Sequence, residues 1–219
     1  MRIVILGAPG AGKGTQCKRV VAEYGLAHLS SGDILRRERS EGTELGKEAQ
    51  SYMDSGALVP DEIIVKMMAS AISESVESGF VLDGFPRTVN QAQELDNSLQ
   101  SSGQKIDAII NLNVDDELVS QRMTGRRSCP ECGAVYHIEN LKPKVEGKCD
   151  NDDADLVQRA DDALDVVANR LKTYHEQTKP VVGYYKSNGT VIEIDANKDA
   201  DEVTGFVLDK LEELASALK

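Results

Sequence analysis

The chain has 219 residues and carries 25 Lys+Arg against 37 Asp+Glu, a formal net charge of −12. A 40% hydrophobic fraction with 28% charged residues is too apolar for a disordered chain, and the length suits one generous domain or two small ones. With a pI of about 4.8 and no Lys/Arg-rich block, the surface repels nucleic acid and anionic lipid, so any phosphate site has to be a locally basic cleft.

No apolar run approaches the roughly 18–20 residues that cross a bilayer, and only Ile3 to Leu6 precede Gly7, so neither a membrane span nor a signal peptide is expected. Along the chain, residues 2–6 read as a buried β-branched strand, followed by a helix over Lys13–Tyr24. Residues 30–59 hold two helical pieces, Ile34–Arg39 and Glu44–Met53, separated by Gly42 and ended by Gly56, with no strand between them. A helix over Asp61–Val76 starts behind Pro60, and short strands at Phe80–Leu82 and Ala108–Leu112 alternate with helices at Val89–Leu99 and Asp115–Met123. Residues 124–160 hold three of the four cysteines, a long helix follows from about Ala160 to Lys186 with an expected kink at Pro180, and Thr190–Ile194 and Ala200–Leu218 close the alternation as strand and helix. Strands alternating with helices imply an α/β fold with a parallel sheet, on which 30–59 and 124–160 are insertions.

Three constellations carry chemistry. Gly7-Ala8-Pro9-Gly10-Ala11-Gly12-Lys13-Gly14-Thr15 joins the first strand to the first helix, where glycines let backbone N–H groups turn inward and Lys13 adds a point charge for outer phosphates. The run departs from the strict G-x-x-x-x-G-K-[ST] pattern, because Gly14 follows the lysine and the hydroxyl arrives at Thr15. Cys129, Cys132, Cys149 and Asp152 follow C-x2-C-x16-C-x2-D, the spacing of a closed four-ligand zinc site, with Asp150, Asp153 and His137 as alternative fourth ligands. Cys17 has no partner in sequence and reads as a small buried apolar residue. Arg159 and Arg170 are eleven residues apart, so one continuous helix would place both on one face and let their planar forks converge on a phosphoryl group.

The runs at 7–16, Leu29-Ser30-Ser31-Gly32-Asp33-Ile34-Leu35-Arg36, Gly56 to Asp61, Leu82-Asp83-Gly84-Phe85-Pro86-Arg87-Thr88, Gly125-Arg126-Arg127 and the Arg159/Arg170 pair together resemble the adenylate kinase family, in its long bacterial form with a full lid insert. The resemblance runs in order over nearly the whole chain. It implies a P-loop NTPase-type core (residues 1–29, 60–121 and 161–219), an AMP-binding insert (30–59) and a zinc-bearing lid (122–160). It implies ATP held by Gly10, Ala11, Gly12, Lys13, Gly14, Thr15, Arg122, Arg126, Val135, Tyr136 and Lys198, with Arg122 and Arg126 an i,i+4 pair ending a helix. AMP would be held by Ser31, Arg36, Ala57, Leu58, Val59, Gly84, Phe85, Pro86, Arg87, Gln91, Arg159 and Arg170, and Gln91 would read the adenine edge. Many members have Thr where this chain has Ser31. Asp83, at a strand end, would reach Mg²⁺ directly or through water, and members with a Cys3Asp lid point to Asp152 as the zinc ligand.

The implied reaction is reversible transfer of the ATP γ-phosphoryl to AMP, giving two ADP, with Lys13, Arg87, Arg126, Arg159 and Arg170 as the catalytic set. The acceptor oxygen is already anionic at neutral pH, so no general base is needed, in keeping with His28, His137 and His175 lying outside any catalytic motif. Kinases for UMP, CMP or GMP, a P-loop ATPase and a zinc-ribbon nucleic-acid module are the competing readings. The expected setting is a cytoplasmic monomer that binds ATP, AMP and ADP and neither nucleic acid nor membrane.

Overall fold

The structure, a computed structural model, describes residues 1–75, 79–188 and 191–217. Val76, Thr190 and Leu218, expected as element ends, lie outside the described residues. Strands β1 (Arg2–Gly7), β2 (Ala27–Ser30), β3 (Phe80–Asp83), β4 (Ala108–Asn113), β5 (Arg126–Ser128), β6 (Val135–His137) and β7 (Val191–Asp195) alternate with helices. The helices are α1 (Lys13–Tyr24), α2 (Ser31–Glu41), α3 (Glu44–Ser55), α4 (Asp61–Ser75), α5 (Val89–Ser101), α6 (Asp116–Thr124), α7 (Leu164–Thr173), α8 (Lys179–Asn188) and α9 (Ala200–Ala217).

Five strands form one sheet in the order β2-β3-β1-β4-β7, every pairing parallel, which is the expected α/β core. Side chains alternate across a strand, so the sheet separates two cores. Val4 and Leu6 of β1 face Ile64 and Met68 of α4 and Leu95 and Leu99 of α5. Ile3 and Ile5 face Cys17 and Val20 of α1 and Val203, Val207 and Leu211 of α9. Cys17 is fully buried, as its lack of a sequence partner suggested. The central strand is covered on both faces, and its carboxyl end opens into the Gly-rich loop, where ligands gather in open parallel sheets.

Ala27–Ser30, to which the sequence assigns no element, is an edge strand paired with β3. Two expectations are corrected. Arg159 and Arg170 do not share a helix: the backbone is extended at Arg159 (ψ 146) and at Ala163 (ψ 144), a tight turn spans Ala160–Asp162, and α7 begins only at Leu164. Arg126 lies on β5, beyond the end of α6, so it is not the helical i,i+4 partner of Arg122. Pro180 acts as expected. Its missing N–H would leave the Glu176 carbonyl unpaired and its ring would strike that carbonyl, and the helix widens over Tyr174–Thr178 into a π turn, with the Lys179 N–H reaching back to the Tyr174 carbonyl.

Leu112, fully buried on β4, tests the core on which the loop rests. Leu112→Ala should lower the unfolding free energy by about 2–5 kcal/mol, read from urea denaturation midpoints. A loss below about 1 kcal/mol would mean that this layer collapses around the truncation.

Candidate active site

The loop between β1 and α1 wraps the Lys13 ammonium. Gly12 caps α1 in the left-handed region (φ 91), where a side chain would strain the turn, and a Cβ on Gly10 would lie 2.9 Å from Met123 Cγ. Lys13 Nζ donates to the Gly7 and Ala8 carbonyls, both at 2.8 Å. Burial pushes the Lys13 ammonium down to about 8, while Asp83 pulls the other way. Asp83 pairs in register with Ile5 of the central strand. A Cβ on Gly14 would lie only 3.2 Å from its Oδ2, so the carboxylate sits against the first turn of α1, one residue from Thr15. The Asp83 carboxylate is a hard oxygen ligand beside the phosphate loop, the type of group that holds Mg²⁺ directly or through water.

Beside the loop lies a cleft lined by Lys13 and by most of the residues expected around AMP, namely Ser31, Arg36, Ala57, Leu58, Val59, Gly84, Pro86, Arg87, Gln91 and Arg170; Phe85 and Arg159 do not line it. The Ser31 hydroxyl donates to the Gly84 carbonyl (2.6 Å), and Arg87 Nε donates to the same oxygen (2.8 Å). The Phe85–Pro86 peptide is cis, and Phe85 itself is buried in the core beneath the cleft. Gln91 is buried with its amide engaged at both ends: Nε2 donates to Asp61 Oδ1 (2.7 Å) and Oε1 accepts from the Arg87 N–H (2.7 Å). Each end keeps one further hydrogen or lone pair, which is the pattern that an aminopyrimidine edge can use.

The arginines are arranged by two neighbouring aspartates, Asp161 and Asp162, that lie outside the motifs of the sequence. Asp162 is fully buried and takes Arg126 in a bidentate grip, Nε at 2.8 Å and Nη2 at 2.5 Å, with Arg170 Nη1 at 3.6 Å. Asp161 lines the cleft and accepts from Arg170 Nη1 at 2.7 Å. Arg159 Nε donates to Ser128 Oγ on β5 (2.8 Å). Burial, then Arg126 and Arg36, push the Arg159 guanidinium down to about 10, and burial does the same to Arg170. Arg87 is lowered chiefly by burial as well. Asp161 is raised by burial but brought below the usual carboxylate range by Arg170. Arg159 and Arg170 therefore share one electrostatic neighbourhood without the shared helix face.

In the last turn of α6, Arg122 Nη2 donates to the Lys198 carbonyl (3.1 Å), joining two residues expected at the ATP site. Beyond β5, Cys129 Sγ lies 3.3 Å from both Asp152 oxygens and Cys132 Sγ lies 3.5 Å from Cys149 Sγ. Tetrahedral ligands at about 2.3 Å (sulfur) and 2.0–2.2 Å (oxygen) from zinc stand roughly 3.4–3.8 Å apart, so the donor set fits that ion. Hydrogen bonds from Cys132 and Cys149 hold the Asp152 carboxyl down to about 2, so it presents an anion. The alternatives are engaged elsewhere: Asp150 Oδ1 accepts from the Lys144 N–H, and His137 Nδ1 from the Glu139 N–H. Tyr136 is buried with its hydroxyl against Cys149 Sγ (3.6 Å), so its side chain belongs to the small core of this module, while Val135 on the same strand is exposed. No helix among the described residues is long and apolar enough to cross a membrane.

A model of the adenylate kinase family matches residues 5–190. The chain belongs to the adenylate kinase family. It is 50% identical over 209 residues to the adenylate kinase of Agathobacter rectalis, covering 95% of this chain and 98% of the relative. It is 47% identical over 204 residues to that of Caldanaerobacter subterraneus subsp. tengcongensis (93% and 92% covered) and 46% identical over 215 residues to that of Staphylococcus epidermidis (98% and 100% covered). As an adenylate kinase it is a phosphotransferase, a nucleoside monophosphate kinase that converts ATP and AMP into two ADP. The family uses Mg²⁺ with ATP. The hydrolase and zinc-ribbon readings give way to this one.

Because burial holds Lys13 near 8, anionic phosphate entering the loop must raise it, and binding takes up a proton above that pH. Calorimetry of ATP binding in two buffers of different ionisation enthalpy should give no proton uptake through Lys13 at pH 6.5 and uptake approaching one proton at pH 9. Identical observed heats in the two buffers at pH 9 would mean that Lys13 takes up no proton and is already charged in the free enzyme.

Proposed function

We propose a division of labour for this phosphoryl transfer. The Gly10–Thr15 loop and Lys13 hold the ATP phosphates, Arg122, Lys198 and the Val135–Tyr136 backbone border its base, and Arg36, Arg87 and the Ala57–Val59 segment hold AMP. Arg126, Arg159 and Arg170 face the group in transit, with Asp161 and Asp162 as positioning residues. The observation that carries this reading is the convergence of Lys13, Arg36, Arg87 and Arg170 on one cleft in a chain whose net charge is −12. Mg²⁺, held through Asp83 directly or by water, would neutralise charge on the β- and γ-phosphates.

An AMP phosphate oxygen attacks the γ-phosphorus, the bond to the β-γ bridging oxygen breaks, and ADP leaves on each side. The chain moves no proton in this step. Its contribution is alignment and fixed positive charge in a space closed to water, which would otherwise accept the phosphoryl group. The 30–59 and 122–160 segments act as the AMP-binding and lid inserts. The lid holds a structural Zn²⁺ through Cys129, Cys132, Cys149 and Asp152, with no open position for chemistry. The enzyme acts as a cytoplasmic monomer on this reading; its four cysteines form no disulfide, which supports a reducing compartment.

Arg87→Ala should reduce kcat by on the order of 10²–10³ while leaving the melting curve unchanged, as loss of a charge partner in a dry site does. Arg127→Ala is the control, since Arg127 spends its guanidinium on the Thr124 and Arg126 carbonyls. Equal turnover in the two variants would remove Arg87 from the phosphate site.

Elemental analysis should find zinc bound by the lid ligands, and Cys149→Ser should melt well below wild type, since a module with so small an apolar core depends on its metal for folding free energy. A Cys149→Ser chain with unchanged melting would make these cysteines packing residues.

A further inference from the structure

A second group of metal-ligating side chains lies beneath the phosphate loop, away from the lid. Cys17 projects from α1, His28 stands on the edge strand β2, and Asp83 ends β3. Their ligand atoms, Sγ, a ring nitrogen and a carboxylate oxygen, all lie within 4.8 Å of one another. His28 Nε2 is buried and has no hydrogen-bond partner among the described residues. Its separation from Asp83 Oδ2 is 3.6 Å, too long for a hydrogen bond. A buried ring nitrogen left open in this way is costly unless something occupies the gap. For a zinc-sized ion with bonds of about 2.1 Å to nitrogen and oxygen, that separation corresponds to an angle of roughly 115–120°, close to tetrahedral.

We propose that Cys17, His28 and Asp83 form a binding site for a soft divalent cation such as Zn²⁺, and that its occupation withdraws Asp83 from the magnesium that accompanies ATP. The second half of this statement rests on the magnesium role assigned to Asp83 above; the first does not. Thiolate and imidazole select Zn²⁺ over Mg²⁺, whereas the carboxylate accepts either, so one group serves two ions that exclude each other. On binding, the Cys17 S–H bond breaks, its proton passes to solvent, and the thiolate bonds the ion with no change of oxidation state. Three protein ligands leave a fourth position for water. The His28 and Asp83 side chains keep 20% and 14% of their surface exposed, which leaves the ion a route in from solvent.

The test compares wild type, Cys17→Ala and His28→Gln, each with an intact lid and each checked by its melting curve. After dialysis against micromolar zinc without nucleotide or Mg²⁺, wild type should carry one zinc per chain more than either variant. Any failure of the lid site lowers all three counts alike and leaves this difference intact. Zinc should inhibit ADP formation in wild type, with relief by added Mg²⁺. Both variants should resist it by more than the roughly 10–100-fold that loss of an outer-shell partner costs in metal affinity. Because His28 sits on an edge strand, His28→Gln decides the matter if Cys17→Ala proves unstable. Equal zinc counts in wild type and a folded variant overturn the site. An extra zinc in wild type that leaves turnover unchanged at every Mg²⁺ concentration overturns the competition, and with it the magnesium role of Asp83.

Discussion

The crowding of like charge in a half-dehydrated cleft is the constraint around which the rest of the site is arranged. Two guanidiniums about 6 Å apart repel by roughly 3 kcal/mol at an effective dielectric of about 20, and here Arg126 and Arg36 act on Arg159 while Arg126 and Arg87 act on Arg170. Asp161 and Asp162 answer this repulsion. They stand side by side in the turn between Arg159 and α7, one facing the cleft and one fully buried, and between them they tie Arg126 from the lid strand to Arg170 from the core helix. Arg126 and Arg170 are thereby held in place before any nucleotide arrives, and their charge is only partly cancelled.

That partial cancellation explains how an acidic protein binds polyanions. The net charge of −12 is spread over the outer surface, while the interior of the cleft keeps cations whose charged forms are disfavoured by burial. Phosphates supply what the protein withholds. The carbonyls of Gly7 and Ala8 that now receive the Lys13 hydrogens are a provisional arrangement of the same kind. Recognition exchanges weak internal partners for stronger external ones, and the site draws its affinity from being incompletely satisfied.

Much of this was legible in the residues, and the exceptions have physical causes. The buried strands announced themselves as β-branched runs bounded by glycine or aspartate, and the phosphate loop by glycines at positions where only they turn easily. Ala27-His28-Leu29-Ser30 carries no β-branched residue and covers a sheet edge, so nothing in its composition separates it from a loop. The Arg159/Arg170 spacing matched a helix, yet Asp161 and Asp162 fold back to reach the arginines, and the chain breaks into extended residues at Arg159 and Ala163. Those aspartates looked like surface decoration because a run of acids usually is; only three-dimensional proximity to Arg126 and Arg170 gives them a role. The cysteine spacing was legible, but the burial of Tyr136 among the cysteines was not, since an aromatic residue two places from Ala134 could equally face a ligand.

The sheet order has a consequence for synthesis. β1, which delivers the phosphate loop, pairs only with β3 and β4, whose residues lie at 80–83 and 108–113. As the chain leaves a ribosome, Ile3 to Leu6 emerge first; their first partner strand, β3, follows only after more than a third of the protein, and the second, β4, after about half. A local helix forms without such a delay, but a parallel sheet closed over so long a separation cannot. Until then the most apolar strand of the enzyme is an open edge, the kind of segment that invites association between nascent chains. The architecture that places the nucleotide at the centre of the sheet therefore leaves its own central strand waiting longest during translation.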